Sequence, residues 1–298
     1  MTDQSPAHVP VMLEQVIHWL NPRPGEVFVD GTVGGGGHAR ALVERLGPTG
    51  LLIGLDRDPA AIAAAGRHLA GTPATLVQAN FCDLPEVLAQ LGVSAVEGVL
   101  LDLGVSSDQL ADQQRGFSFS SAGPLDLRFD PLSGEPARRL VNRLSVERLA
   151  ELIHRYGEDR HSRRIARAIV ERRRERPIET AVELAEVVRR CVPRTAGHPG
   201  GTPRIDPATR TFQALRIAVN DEIKSLEIAL RRLPDCLRPR ARLAVISFHS
   251  LEDRPVKEAF RDDRRLRVLT PKPVRPNMEE TKRNPRARSA KLRVAERM

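Results

Sequence analysis

The chain has 298 residues, 41% hydrophobic and 29% charged, which is long enough and apolar enough for a sizeable core. No apolar run nears the roughly 20 residues that cross a bilayer, and Met1-Thr2-Asp3 opens no secretory signal, so neither membrane anchorage nor export is expected. The net charge of +9 is uneven: residues 1–111 carry 5 basic and 12 acidic side chains, residues 112–210 carry 20 and 14, and residues 231–298 carry 20 and 9.

The first hundred residues alternate short apolar runs with helical patterns. Val27-Phe28-Val29 reads as a strand, followed by glycines and a helix over about 38–46. Leu51 to Leu55 is a second strand, and Asp58-Pro59 caps an alanine-rich helix. Ala74 to Val77 is a third strand, Asp83 to Leu91 a helix, and Val99-Leu100-Leu101 a fourth strand. Strands apolar on both faces and separated by helices predict a parallel sheet covered on both sides.

That rhythm breaks after Gly104. Residues 105–135 form a long loop of the kind that usually carries function, and residues 145–192 read as helices only, the first opened by Ser145 and others spanning about Arg160–Arg176 and Thr180–Cys191. A loop rich in Pro, Gly and Thr is expected over 193–208. A single helix over about 209–233 then carries Phe212, Leu215, Val219, Ile223, Leu226, Leu230 and Leu233 on one face. Strand signals return at Leu243–Ile246, Arg267–Leu269 and Leu292–Val294. The expected organisation is an α/β domain over 1–105, a helical insertion over 106–208, and the rest of the α/β domain with a basic tail over 209–298.

A strand ending in Asp30, then Gly31 and the run Gly34 to Gly37, then a helix, is a nucleotide-cofactor arrangement. Glycine admits a close ligand where a side chain would collide, and the helix start offers free N–H donors. The spacing Gly34-x-Gly36-x-x-Ala39 also matches the dinucleotide fingerprint, which leaves a nicotinamide-dependent oxidoreductase open. Asp30, immediately before the glycines, favours S-adenosylmethionine, because it suits an ammonium or sulfonium and repels a pyrophosphate. Asp56 ends the second strand, where a carboxylate can accept both ribose hydroxyls, while Asp58 serves as the helix cap. Phe81 follows the third strand, either against an adenine or as core packing. Asp102 ends the fourth strand, again at the carboxyl edge where ligands gather.

Eight strings, in order along nearly the whole chain, resemble the RsmH (MraW) family: His8 to Met12, Asp30 to His38, Leu55 to Asp58, Leu100 to Ser107, Arg115 to Phe119, Thr209 to Ala214, Ile246 to Asp253 and Asn284 to Ser289. The resemblance implies a Rossmann-like class I methyltransferase sheet with an inserted all-helical domain. It implies S-adenosylmethionine as cofactor, held at Gly36, Gly37, His38, Asp56, Phe81, Asp102 and Gln109. It further implies methylation of the exocyclic N4 amine of a decoding-centre cytosine, position 1402, in 16S rRNA of the small ribosomal subunit.

A cytosine amine is a poor nucleophile, because its lone pair is delocalised into the ring. Asp102 is the candidate acceptor that would localise that lone pair and receive the proton. Amino-methyltransferases generally place Asp/Asn-Pro-Pro-aromatic after the fourth strand, whereas this chain reads Asp102-Leu103-Gly104-Val105. The platform for the base is therefore sought at Phe117, Phe119, Phe248 or His249, each of which also reads as structural. The arginine excess suits a polyanion, since the guanidinium fork matches phosphate, although a solvated surface would look the same. The tail group Lys282, Arg283, Arg286 and Arg288 is the better RNA candidate. Arg163, Arg164, Arg167 and Arg172 to Arg174 share a helix with Glu171 and Glu175, which are expected to pair with part of that group. A non-enzymatic RNA-binding assembly factor would explain the charge alone. Cys82, Cys191 and Cys236 read as free thiols in a reducing cytoplasm, and His154, His161 and His198 as surface or packing residues, with no metal site expected.

Overall fold

The computed structural model describes residues 10–192 and 206–298. His8, Val9, His198 and most of the loop expected at 193–208 lie outside them. Two compact units emerge: one runs to Ser106 and resumes from Ile223 to Met298, and the other is Ser107–Glu222.

The first unit is built on seven strands: β1 (Val27–Asp30), β2 (Leu51–Asp56), β3 (Ala74–Gln78), β4 (Val96–Asp102), β5 (Leu237–Ser247), β6 (Leu266–Val268) and β7 (Lys291–Arg297). They form one sheet in the order β3-β2-β1-β4-β5-β7-β6, parallel except for β7, which runs antiparallel to both neighbours. This is the Rossmann-like sheet that the family resemblance implies. The strand order reverses between β1 and β4, the switch point outside which such sheets bind ligands.

Alternate residues explain why these strands read as apolar throughout. Val29, Ile53, Leu101 and Val245 join one core with Leu88, Leu230 and Phe260, from the helices Leu84–Gln90, Glu222–Cys236 and Ser250–Asp262. Phe28, Leu52, Leu100 and Ala244 join a second core with Val16, Leu42 and Ala65, from the helices Leu13–Leu20, Gly37–Leu46 and Pro59–His68. Each strand is thus buried on both faces, at roughly 25 cal/mol per Å² of apolar surface removed from water. Gly98 shows how tightly the faces are filled, because a Cβ there would meet the Phe28 ring at 2.1 Å.

In the second unit the regular elements among the described residues are helices. The Ser145 side chain caps Val146–Gly157, and Thr180 with Glu183 forms a capping box on Ala181–Cys191. Leu149, Ile153, Ile165, Ile169, Leu184, Val188 and Leu215 are fully buried here.

The single helix expected over 209–233 is two helices, Ala208–Asn220 and Glu222–Cys236. Asp221 between them adopts the left-handed conformation (φ 50°, ψ 37°). An aspartate tolerates that geometry and lets the chain stop within an unbroken apolar stripe. The stripe is divided accordingly: Phe212 and Leu215 are buried in the second unit, and Leu226, Leu230 and Leu233 in the core of the first. Nor do Glu171 and Glu175 pair as expected; neither makes an ion pair within 4.0 Å among the described residues. No described helix is long and apolar enough to cross a membrane.

Candidate active site

Three aspartates stand at the carboxyl ends of β1, β2 and β4, and the glycine-rich loop is bonded to the carboxylates of Asp30 and Asp56 and to the backbone of Asp102. The Thr32 N–H donates to Asp30 Oδ1 at 3.1 Å, and the Asp102 N–H donates to Thr32 Oγ1 at 2.7 Å. The Gly34 N–H donates to Asp56 Oδ2 at 3.0 Å, while the Asp58 N–H donates to Asp56 Oδ1 at 2.9 Å. The Arg57 backbone donates to Asp56 as well, so of the roughly four acceptor sites of a carboxylate about one stays open to a ligand hydroxyl. Asp58 accepts from the Ala60 N–H and caps the helix Pro59–His68, which leaves Asp56 free of that duty.

Gly36 caps the helix Gly37–Leu46 at φ 89°, a conformation that glycine adopts without strain. Gly31 is demanded by space: a Cβ there would lie 2.5 Å from Leu101 Cδ2 and 3.1 Å from Phe81 Cβ. Phe81 itself, on the turn Phe81–Asp83, packs part of its side chain on the core and lies against the loop.

His38 follows Gly37 and is buried. Its Nε2 lies 2.9 Å from the Val11 carbonyl oxygen, which can only accept, so Nε2 carries the ring hydrogen. The neutral ring then turns a bare Nδ1 toward Asp102 Oδ2 at 3.6 Å. Burial lowers the His38 pKa and so favours that neutral ring, against the pull of Asp30.

Burial pushes the Asp30 carboxyl up to about 6, opposed by His38 and the Thr32 N–H. It pushes Asp56 up to about 6, opposed by its backbone donors. Asp102 rises furthest, to about 7, chiefly by burial, with Arg286 lowering it and Glu252 raising it. Asp102 Oδ1 is buried with no hydrogen-bond partner among the described residues. Unpaired buried carboxylates are costly, and a ligand that brings positive charge and N–H or O–H donors relieves that cost. The arrangement therefore suits a cationic, hydroxyl-bearing ligand and opposes a pyrophosphate.

Two partners were not legible in the sequence as parts of this site. Arg286, read there as a tail residue for RNA, donates from Nη2 to the Val105 carbonyl, three residues past Asp102. Glu252 accepts the Phe248 N–H at 2.8 Å and stands 3.1 Å from His249 Nε2. Arg286 was expected to meet RNA and Glu252 only lies within one of the family strings, so neither was tied to Asp102 by the sequence.

The four candidate base platforms separate. Phe248 is half-buried beside the Gly104 backbone, its Cδ2 3.6 Å from where a Gly104 Cβ would be. His249 Nε2 lies 3.1 Å from Glu252 Oε1, but neither ring nitrogen makes a hydrogen bond among the described residues. Phe117 stacks on Phe129 at 5.8 Å, and Phe119 meets Phe212 edge-on at 5.2 Å, both within the second unit. Gln109 also belongs to that unit, buried on the helix Ser107–Ala111. The three cysteines are buried and free.

Comparison with known proteins agrees with this geometry. The MraW methylase family matches residues 5–298. The ribosomal RNA small subunit methyltransferase H of Thermomicrobium roseum is 49% identical over 99% of this chain and 94% of its own length. The protein of the same name from Geotalea uraniireducens is 50% identical over 98% of both chains, and that of Syntrophotalea carbinolica 49% over 100% of both. With the glycine loop, the three strand-end carboxylates and identity near one half from end to end, this chain belongs to the MraW methylase family.

Proposed function

We propose that this chain transfers the methyl group of S-adenosylmethionine to the exocyclic N4 amine of a cytosine, position 1402, in 16S rRNA within the small ribosomal subunit. Family membership and the names of its relatives support a small-subunit rRNA methyltransferase. The dinucleotide and assembly-factor readings gain nothing from either. The observation that carries the chemistry is Asp102, whose buried, unpartnered Oδ1 stands at the switch-point edge of the sheet.

Asp30 suits the ammonium of the cofactor, Asp56 the ribose hydroxyls, and Gly36, Gly37 and His38 line the backbone path between them. Phe81 offers its ring to the adenine. When bound, S-adenosylmethionine supplies a methyl carbon activated by its sulfonium. The protein's task is to hold the amine in line with that carbon and to manage a proton. Asp102 accepts a hydrogen bond from the amine, localises its lone pair and takes the proton released as the new N–C bond forms. The bare Nδ1 of His38 lies on the far carboxylate oxygen, from which it can share that proton. Arg286 holds the loop at Val105 and keeps Asp102 closer to its ionised form.

The test is incubation with labelled S-adenosylmethionine and small subunits lacking the modification, followed by nucleoside mass spectrometry. N4-methylcytidine at the decoding centre is expected. Label appearing only in another nucleoside, or in none, overturns the assignment.

A further inference from the structure

The helix Ser162–Glu175 of the second unit buries Ser162, Ile165, Ala166 and Ile169 on one side. At 3.6 residues per turn, Arg163, Arg167 and Arg174 fall within about 40° of one another on the other side, spread along about 16 Å of helix. All three are exposed, as is Arg164 beside them. None of the four makes a hydrogen bond or ion pair among the described residues.

The side chains of Arg139 and Arg148 of this unit are likewise exposed and without such a partner among the described residues, but they lie on other helices, and many arginines of the unit behave differently. Arg138, Arg143, Arg176, Arg189, Arg190 and Arg216 all pair with a carboxylate. On the helix itself, Arg172 donates to the Arg176 carbonyl at 3.0 Å and Arg173 to the Val141 carbonyl at 2.7 Å. Two acids share the exposed side, Glu171 and Glu175, and both leave the arginines unpaired although spacing of three and four residues would allow pairing. The stripe thus keeps four guanidinium groups against two carboxylates, all in water.

We infer that Arg163, Arg167 and Arg174 form a track for the phosphate backbone of the substrate rRNA, supplying affinity rather than sequence choice. The inference rests on the rRNA reading above. Charge complementarity carries it: unpaired guanidinium forks in a row match a polyanion with regularly spaced phosphates. Neutralising phosphates releases counterions, so each contact contributes about 0.7–0.9 to the slope of log affinity against log salt concentration.

The test compares the triple variant R163Q/R167Q/R174Q with the charge-matched control R138Q/R143Q/R190Q, whose arginines are paired. Binding of each to small subunits carrying unmodified 16S rRNA is titrated from 50 to 300 mM KCl. The stripe variant is expected to lose affinity and to show a slope shallower by about 2 to 3, with its affinity for S-adenosylmethionine at the wild-type value. The control is expected to keep the wild-type slope. Equal slopes for the two variants overturn the inference. So does loss of binding to phosphatidylserine vesicles with RNA binding intact, which would assign the stripe to a lipid surface. The slope is read from binding alone, so it is decided even if the wild-type protein methylates nothing, the outcome that would sink the rRNA methylation reading by itself.

Discussion

At the scale of single residues the site is held in a costly state. Asp102 is an acid whose folded pKa, about 7, lies above its ordinary value of 3.8 because it is buried. A raised acid favours the folded state fully below its unfolded pKa, and that advantage is lost as pH climbs to the folded value. Above pH 7 the ionised carboxylate therefore destabilises the protein. The shift corresponds to roughly 4 kcal/mol, reduced to on the order of 2 kcal/mol for a side chain that keeps 23% of its surface in water. Asp102→Asn should raise the melting temperature of the cofactor-free protein at pH 8 by a few degrees while abolishing methylation. The gain should shrink toward pH 5 and vanish below pH 4. A variant that is inactive yet no more stable at pH 8 than the wild type would show that burial does not strain this carboxylate.

Arg286 gives the complementary experiment. Its charge lowers the Asp102 pKa, and the acceptor works when ionised. Arg286→Met should move the acid limb of the kcat profile to higher pH, and Arg286→Lys should return part of that shift by restoring the charge without the fork. A lowered kcat with an unmoved limb would mean that Arg286 acts by positioning the loop and not by its charge on Asp102.

At the scale of elements, what the sequence revealed was local and what it hid was distant. Strands ending at Asp30, Asp56 and Asp102 were legible because apolar runs, glycines and caps are written in neighbouring residues. So was the capping role of Asp58, which its hydrogen bond from the Ala60 N–H bears out. The approach of Arg286 to Val105, 181 residues apart in the chain, was not legible, because no periodicity encodes a tertiary contact. The break at Asp221 was hidden for another reason: the apolar stripe continues through it, and only a backbone angle ends the helix. Aspartate bears the left-handed conformation far better than a β-branched residue does. Asp221→Val should therefore cost about 1–2 kcal/mol in denaturant unfolding, and Asp221→Gly should cost nothing or stabilise. Equal stability of the two variants would mean that the packing around both helices, not this angle, sets the break.

At the scale of the whole molecule, two opposite electrostatic demands are met in different places. The chain carries a net charge of +9, and unpaired arginines lie in water on the second unit. The ends of β1, β2 and β4 in the first unit gather one buried and two part-buried carboxylates that desolvation pushes toward neutrality. A long polyanion is drawn by the exposed charges and a small cation by the buried ones, and salt tells the two apart. Exposed contacts to phosphate weaken steeply with ionic strength, whereas buried pairs are screened little. The small cation must also ionise its carboxylates, which stand at about 6, 6 and 7 before it binds. S-adenosylmethionine should therefore bind at least about tenfold more tightly at pH 8 than at pH 5, one pKa unit being worth 1.36 kcal/mol. Binding near pH 6 should release protons, measurable by titration calorimetry in buffers of different ionisation enthalpy. Raising KCl from 50 to 300 mM should change that affinity less than twofold while RNA binding falls by an order of magnitude or more. A cofactor affinity independent of pH would mean that the three acids are already ionised in the free protein. The buried edge would then be screened by groups other than the ligand, and the case for its fit to a cation would fall with it.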